Sequence, residues 1–220
     1  MNKKIAVIGG TGKEGKGLAY RWAKCGHQVI IGSRSIEKAK AAVEEILAIL
    51  PDGSNLNADS NENAAKNSDI AVITVPYAAH REILSTLHEV LAGKIIIDVT
   101  VPLVPPQVTT VQIPAGGSAA MEAREILGND CGIASAFHNI SHDLLMKDEP
   151  ISCDVLVCGT DEATRQFTLE LVKDAGLKGW DAGPLENSVV AESLTSILIY
   201  INKKYKARNA GIKITGAKVN

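Results

Sequence analysis

The sequence predicts an α/β fold built on a doubly wound, mostly parallel sheet, and three observations carry that prediction. Short apolar runs alternate with helical segments in units of about 30 residues, the length of a strand–helix–strand unit. The runs "KIAVIG", "DIAVITVP" and "KIIIDV" are apolar along their whole length rather than alternating. That is the pattern of parallel strands covered on both faces. The first run leads directly into a glycine-rich turn that opens a helix.

Each element follows from its own pattern. After "KIAVIG", residues 13–25 place Leu18, Ala19, Trp22 and Ala23 at helical spacing. "QVIIGS" is a second strand, and 35–50 is an amphipathic helix stopped by "PDG". A short strand near Leu56 precedes a short helix in "SNENAAKNS", capped by Ser60 or Asn61. "DIAVITVP" is a strand, 78–91 a helix and "KIIIDV" a strand. The proline-rich "VPLVPPQVTTVQIPAGG" breaks the rhythm as an irregular loop. Helix returns at 118–127, followed by a strand in "GIASAF" and a helical turn at 141–147. "SCDVLVCG" is a strand, 161–175 a helix and "KGWDAG" a short strand. "ENSVVAESLTSILIYINKKYKAR" is one long helix, apolar enough to predict burial of most of its surface. "NAGIKITGAKVN" carries no readable periodicity. Residues 1–140 are expected to form a nucleotide-binding domain. Residues 141–220 are expected to form a smaller C-terminal α/β or helical domain that completes a cleft, although "DVLVCG" and "KGWDAG" could instead extend the first sheet.

Composition narrows the class. The chain has 220 residues, 45% hydrophobic and 22% charged, with a net charge of −2. That balance gives no electrostatic case for nucleic acid or a membrane surface. No apolar run reaches the roughly 18 residues of a membrane span. With the first strand starting near Lys4, no signal peptide is expected. Cys25, Cys131, Cys153 and Cys158 form no CxxC pair and no zinc pattern, so reduced thiols, a cytoplasmic location and no metal are expected.

Gly10, Gly12 and Gly15 match GxGxxG between a strand and a helix, the context in which that motif signifies dinucleotide binding. Gly10 is expected to make the tight turn, Gly12 to let the backbone approach a pyrophosphate, and Gly15 to let helix and strand pack closely. The helix N-terminus offers unpaired N–H groups to the phosphates. About 20 residues on, NAD-preferring sites place an acid against the ribose 2′-hydroxyl. This chain instead has Ser33, then Arg34, with Lys38 in the first turn of the next helix. A neutral donor and two cations suit a 2′-phosphate, which predicts NADP(H).

Ligands in open α/β sheets lie at the carboxyl ends of strands. Those ends carry Thr74, Val75 and Pro76; Asp98, Val99, Thr100 and Pro102; and His138, Asn139, Ile140 and His142. Proline-rich ends provide a rigid apolar wall for a planar ring. His138 could act as a general acid–base or could simply shape the pocket. His142 is expected to be a wall residue. In the long helix Ser188, Ser193 and Thr195 could be satisfied by backbone or point into a cleft. From Ile201 onward there is no acid, but Lys203, Lys204, Lys206, Arg208, Lys213 and Lys218 are present. They could stabilise a helix end or recruit an anionic substrate.

Taken together, "IGGTGKEGKGLA", "GSRSIEKA", "DIAVITVP", "SAFHNI", "DVLVCG" and "DAGPLENSVVAESLTSIL" resemble the NADPH-dependent reductases of coenzyme F420 over nearly the whole chain. The resemblance implies a Rossmann-type domain with a smaller C-terminal one, a homodimer, and reversible hydride transfer between NADPH and the 5-deazaflavin ring of F420. It implies that Thr11, Gly12, Lys13 and Glu14 line the phosphates, and that Ser33, Arg34 and Lys38 hold the 2′-phosphate. His138 and Ile140 would sit near the rings, and Ser193 and Thr195 near the deazaflavin. Val189 departs from the pattern, since some members carry an arginine there. An NADPH-dependent reductase of a flavin, imine, carbonyl or ferric chelate is an alternative on the same scaffold, as is a non-enzymatic NADP(H)-binding regulator.

Overall fold

Strand β1 (Lys4–Ile8) begins the sheet in a computed structural model that describes residues 2–217. Lys218, the last cation of the basic tail, lies outside the described residues. There follow α1 (Lys13–Lys24), β2 (Gln28–Ser33), α2 (Ile36–Leu47), β3 (Leu56–Ser60), α3 (Asn61–Lys66), β4 (Ile70–Ile73) and α4 (Tyr77–Leu91). The chain continues through β5 (Ile95–Asp98), α5 (Ala119–Leu127), β6 (Gly132–Ser135), α6 (His142–Leu145), β7 (Asp154–Gly159), α7 (Glu162–Asp174) and β8 (Lys178–Pro184). A single 3-10 turn, Leu185–Asn187, leads into α8 (Ser188–Tyr205).

All eight strands form one sheet in the order β3-β2-β1-β4-β5-β6-β7-β8. Every pairing is parallel except β6 with β7. The first six strands thus follow the 3-2-1-4-5-6 order of dinucleotide-binding sheets. Strands β7 and β8 extend that same sheet, the arrangement the sequence had left open. The full-length hydrophobicity of the strands has a direct cause. Val7, Ile31, Val72 and Ile97 bury one face against Leu18, Trp22, Val43 and Ile46. Ala6, Ile30, Ile73 and Ile96 bury the other against Leu84, Leu87 and Leu91. Each fully buried large aliphatic side chain contributes roughly 1.5–3 kcal/mol by leaving water.

Hydroxyl and carboxylate caps set several helix starts. Ser35 Oγ accepts from the Lys38 N–H at 3.3 Å, which fixes the first turn of α2. Ser60, not Asn61, caps α3 through the Asn63 N–H. Such caps stabilise a helix by about 1 kcal/mol.

Two expectations are corrected. The tight turn after β1 is made by Gly9, whose φ is +72°, rather than by Gly10. Gly10 is needed for space instead, because a Cβ there would lie 2.8 Å from the Val7 carbonyl oxygen. Helix α8 is not buried over most of its surface. Val190 is 63% exposed, Ile197 47%, Tyr200 48% and Tyr205 70%. Its buried residues are Ser188, Ala191, Glu192, Ser196 and Leu198, one narrow face containing three polar side chains. Apolar composition therefore marks an uncovered stripe here, not a core.

Candidate functional site

Parallel strands put their carboxyl ends on one edge of the sheet, and there the chain forms a cavity of about 820 Å³. This volume is within the usual range for small-molecule and cofactor sites. Most of the residues singled out from sequence meet in it. Thr11, Gly12, Glu14, Ser33, Arg34 and Lys38 line one end, Thr74, Val75, Pro76 and Val99 the middle, and His138, Ile140, His142 and Thr195 the other. Gly10, Lys13, Gly15 and Ser193 do not line it. Gly15 acts beneath the surface, where a Cβ would come within 2.6 Å of Gly10 Cα and 2.8 Å of Thr74 Oγ1. Ser193 instead donates to the Val189 carbonyl at 2.5 Å, completing its own helix turn.

At the first end, the geometry suits a dinucleotide. The α1 N-terminus has Gly12 as N-cap with no side-chain cap, so its first N–H groups face the cavity. A Cβ on Gly12 would meet nothing within 4 Å, so a ligand can approach the backbone closely. Arg34 and Lys38 are exposed on the cavity wall and have no carboxylate partner among the described residues. Ser33 is buried, and its Oγ accepts from the Ser35 N–H at 3.2 Å. Glu14 is only half-buried overall, yet its Oε1 is shut from water with no partner. Burial pushes the Glu14 carboxyl up to about 8 from an ordinary 4.5. That shift lessens the negative charge it presents to neighbouring phosphates.

At the far end, the backbone is strained where the cavity turns. Phe137 has φ +70°, a conformation costing a bulky side chain roughly 1–3 kcal/mol. Its ring is held edge-on to Trp22, with centroids 5.8 Å apart. His138, next in sequence, is buried, with Nε2 3.4 Å from Ser135 Oγ. Burial drives its pKa down to about 4, only partly offset by the charge and backbone of Asp98. His138 is therefore a neutral imidazole at physiological pH. Thr195 Oγ1 donates to the His138 carbonyl at 2.8 Å, tying α8 to the end of β6.

Beneath the cavity floor lies a buried ionisable cluster that sequence reasoning did not find. His80 Nε2 is 2.7 Å from Asp98 Oδ2, and the Thr100 N–H donates to Asp98 Oδ1 at 3.0 Å. Burial alone would raise the Asp98 carboxyl, but His80 and Thr100 outweigh it and hold the group below its usual range. For His80, burial acts downward and Asp98 outweighs it, leaving the imidazole raised. Glu192 accepts from the Ala119 and Ala120 N–H groups at the start of α5, at 2.7 and 3.2 Å. Burial, with Asp98 nearby, pushes Glu192 up to about 8 despite those two donors. Tyr77 Oη donates to Glu122 at 3.0 Å. The residues come from α4, β5, α5 and α8, so no local sequence spacing announces them.

Among the described residues, Cys25, His27 and Asp174 bring metal-ligand atoms within 4.8 Å of one another. Hydrogen bonding already assigns the imidazole. The Lys3 N–H donates to His27 Nδ1 at 3.2 Å, so the proton resides on Nε2 and faces Asp174 at 2.9 Å. A metal at Nε2 would need that proton removed and leave Nδ1–H opposing the Lys3 N–H. The triad is a structural clasp between the start of β2 and α7.

The sheet order, the glycine turn and the cationic strand end together define a Rossmann-class, dinucleotide-binding type of protein. Comparisons with known proteins carry this further. A family model described as NADP oxidoreductase, coenzyme F420-dependent, matches residues 4–102. The F420-dependent NADP reductase of Methanocaldococcus jannaschii is 37% identical over 98% of this chain and 100% of its own. That of Methanothermobacter marburgensis is 39% identical over 96% of this chain and 98% of its own. A crystal structure of a candidate F420-dependent NADP reductase from Arthrobacter sp. FB24 superposes with a TM-score of 0.79 at 24% identity. It covers 97% of this chain and 100% of that one, and it supports the fold. The chain belongs to the family of F420-dependent NADP reductases.

The position of Glu192 makes stability depend on pH in a defined direction. Its folded pKa, about 8, lies above the ordinary 4.5, so the folded chain holds a proton that the unfolded chain has released between those values. The contribution is complete below about 4.5, shrinks as pH rises, and is gone above about 8. Thermal melts from pH 5 to 9 should therefore fall more steeply for the native chain than for Glu192→Gln. Parallel slopes would show that Glu192 is already ionised in the folded state.

Proposed function

We infer that this protein is an oxidoreductase that transfers a hydride reversibly between NADP(H) and coenzyme F420. The observation that carries the reading is one continuous cavity, with phosphate-seeking groups at one end and an apolar, ring-sized wall beyond them. The full-length relationship to F420-dependent NADP reductases supports it. When bound, the nicotinamide and deazaflavin rings supply the redox chemistry, and the chain supplies orientation and a dry cleft. Thr11, Gly12, Glu14 and the α1 N-terminus receive the pyrophosphate, with Lys13 adding charge from outside the cavity. Ser33, Arg34 and Lys38 receive the 2′-phosphate. Thr74, Val75, Pro76, Val99 and His142 form the wall of the nicotinamide end. Ile140, Thr195 and neutral His138 position the second ring, and Ser193 acts only through the helix turn that presents Thr195. Residues 1–140 supply the nucleotide side and 141–220 complete the cleft.

We also propose a homodimer. Val190, Leu194, Ile197, Ile201 and Tyr205 recur at helical spacing along α8, and the first, third and last are largely exposed. A second copy covering this stripe would remove it from water. We propose a cytoplasmic location, which suits four free cysteines, three of them buried.

The direct test mixes protein, NADPH and F420 and follows the deazaflavin absorbance. Bleaching is expected; intact NADPH binding without bleaching would point to another acceptor or to a regulator. In the same assay, Arg34→Glu should raise the KM for NADPH at least tenfold more than that for NADH, since a charge-assisted phosphate contact is replaced by repulsion. Equal effects would remove the 2′-phosphate assignment. His138→Ala should slow turnover by no more than about tenfold, with no new limb between pH 6 and 9, because the native imidazole does not titrate there. A loss of several orders of magnitude would indicate an obligatory proton transfer. Sedimentation should give twice the 23.2 kDa chain mass, and Ile197→Glu should give the monomer. A native monomer would refute the α8 interface.

A further inference from the structure

The chain after α8, which shows no periodicity, is built into the cleft. Lys206 ends the helix in the left-handed conformation, φ +53°, and turns the backbone. The return is then fastened directly after one arginine, Arg208. Ser141 Oγ donates to Asn209 Oδ1 at 2.8 Å, and the Ala210 N–H donates to Asn202 Oδ1 at 3.0 Å. Farther on, the Asp154 N–H donates to the Ile212 carbonyl at 2.8 Å, and the Ile214 N–H donates to Asp154 Oδ2 at 2.9 Å. Gly211 passes so close to Cys153 that a Cβ would lie 2.5 Å from its Sγ. This fastening sets Arg208 on the cavity wall beside Asn202 and Ala210. Lys203, Lys204 and Lys206 do not line the cavity, and the Lys204 ammonium instead lies over the Tyr200 and Tyr205 rings. Arg208 has no carboxylate partner among the described residues, and Asp143 on the same wall has its Oδ1 3.2 Å from His142 Nε2.

The cleft therefore has cations at two ends. Arg34 follows β2, and the Arg208 end adjoins His138 after β6, four strand positions away in the sheet. At about 4.8 Å per strand, the separation is roughly 19 Å. A dinucleotide whose 2′-phosphate rests on Arg34 and whose pyrophosphate rests on the α1 N-terminus has placed its anionic groups at the first end. Resting on the reading that F420 is the second coenzyme, we propose that Arg208 recognises the anionic side chain of F420, its phosphodiester or its glutamyl carboxylates. A guanidinium fork suits both, as either presents paired oxygens. Arg208 thus sets specificity for the substrate without touching the reacting rings.

The test measures equilibrium binding without turnover. F420 affinity is read from deazaflavin fluorescence in the absence of NADPH, NADPH affinity from nicotinamide fluorescence. A truncated deazaflavin riboside lacking the phosphodiester and glutamates serves as the control ligand. Arg208→Gln should weaken F420 binding roughly five- to tenfold, the range for an exposed but charge-assisted contact. It should also flatten the salt dependence of F420 binding. NADPH and riboside affinities should hold, and Arg208→Lys should restore only part of the loss, because it keeps the charge without the fork. A further probe carrying the phosphodiester but no glutamates separates the two anion sources: retained sensitivity assigns the phosphodiester, lost sensitivity the carboxylates. Unchanged F420 affinity in Arg208→Gln, or an equal loss for the riboside or NADPH, would overturn the assignment. If the native protein binds NADPH but not F420, the functional reading itself fails and this inference goes with it.

Discussion

Helix α1 meets the turn after β1 across a gap too narrow for a methyl group, and most of the site depends on that approach. Gly15 against Gly10 brings the helix start to the strand end. The same helix then reaches the opposite side of the chain. Trp22 Nε1 donates to the Leu171 carbonyl at 2.9 Å, and Arg21 donates from Nε and Nη2 to the Leu145 and Leu144 carbonyls at 2.6 and 3.1 Å. Gly17 leaves room for Leu145, whose Cβ would otherwise be 2.4 Å from a methyl group. One helix thus aims its N-terminus into the cleft and clamps the segment around α6 that forms the cleft's far wall. A small displacement of α1 would shift both ends at once.

What the sequence disclosed was local. The glycine turn, the Ser33–Arg34 strand end and the whole-length apolar strands each depend on residues within one βα unit, where spacing and geometry are tightly linked. Even there, glycine at 9 and at 10 could not be told apart, because both positive φ and close packing select the same residue. The unread parts were long-range. His80, Asp98 and Glu192 meet only after three elements fold together. The segment holding Arg208 is fixed by scattered hydrogen bonds to Ser141, Asn202 and Asp154, which leave no periodic trace. Helix α8 misled in the opposite sense, since hydrophobicity alone does not say whether a surface faces a core or another molecule.

The two ends of the cleft are also electrostatically unlike the ground beneath them. Cations with no carboxylate partner line its ends, while Asp98, Glu122 and Glu192 are buried close together below the floor. Three carboxylates in a low-dielectric interior cannot all be ionised at little cost. His80 carries the compensation for Asp98, and burial with Asp98 nearby pushes Glu192 up to about 8.

Phe137 shows how a protein's interior can serve as a mechanical part. Its left-handed backbone would relax if the ring were released, and Trp22, fully buried and hydrogen-bonded to α7, opposes that release. The tryptophan is thus a stop against which the peptide carrying His138 is sprung, and the tension it bears is set by packing far from any ligand.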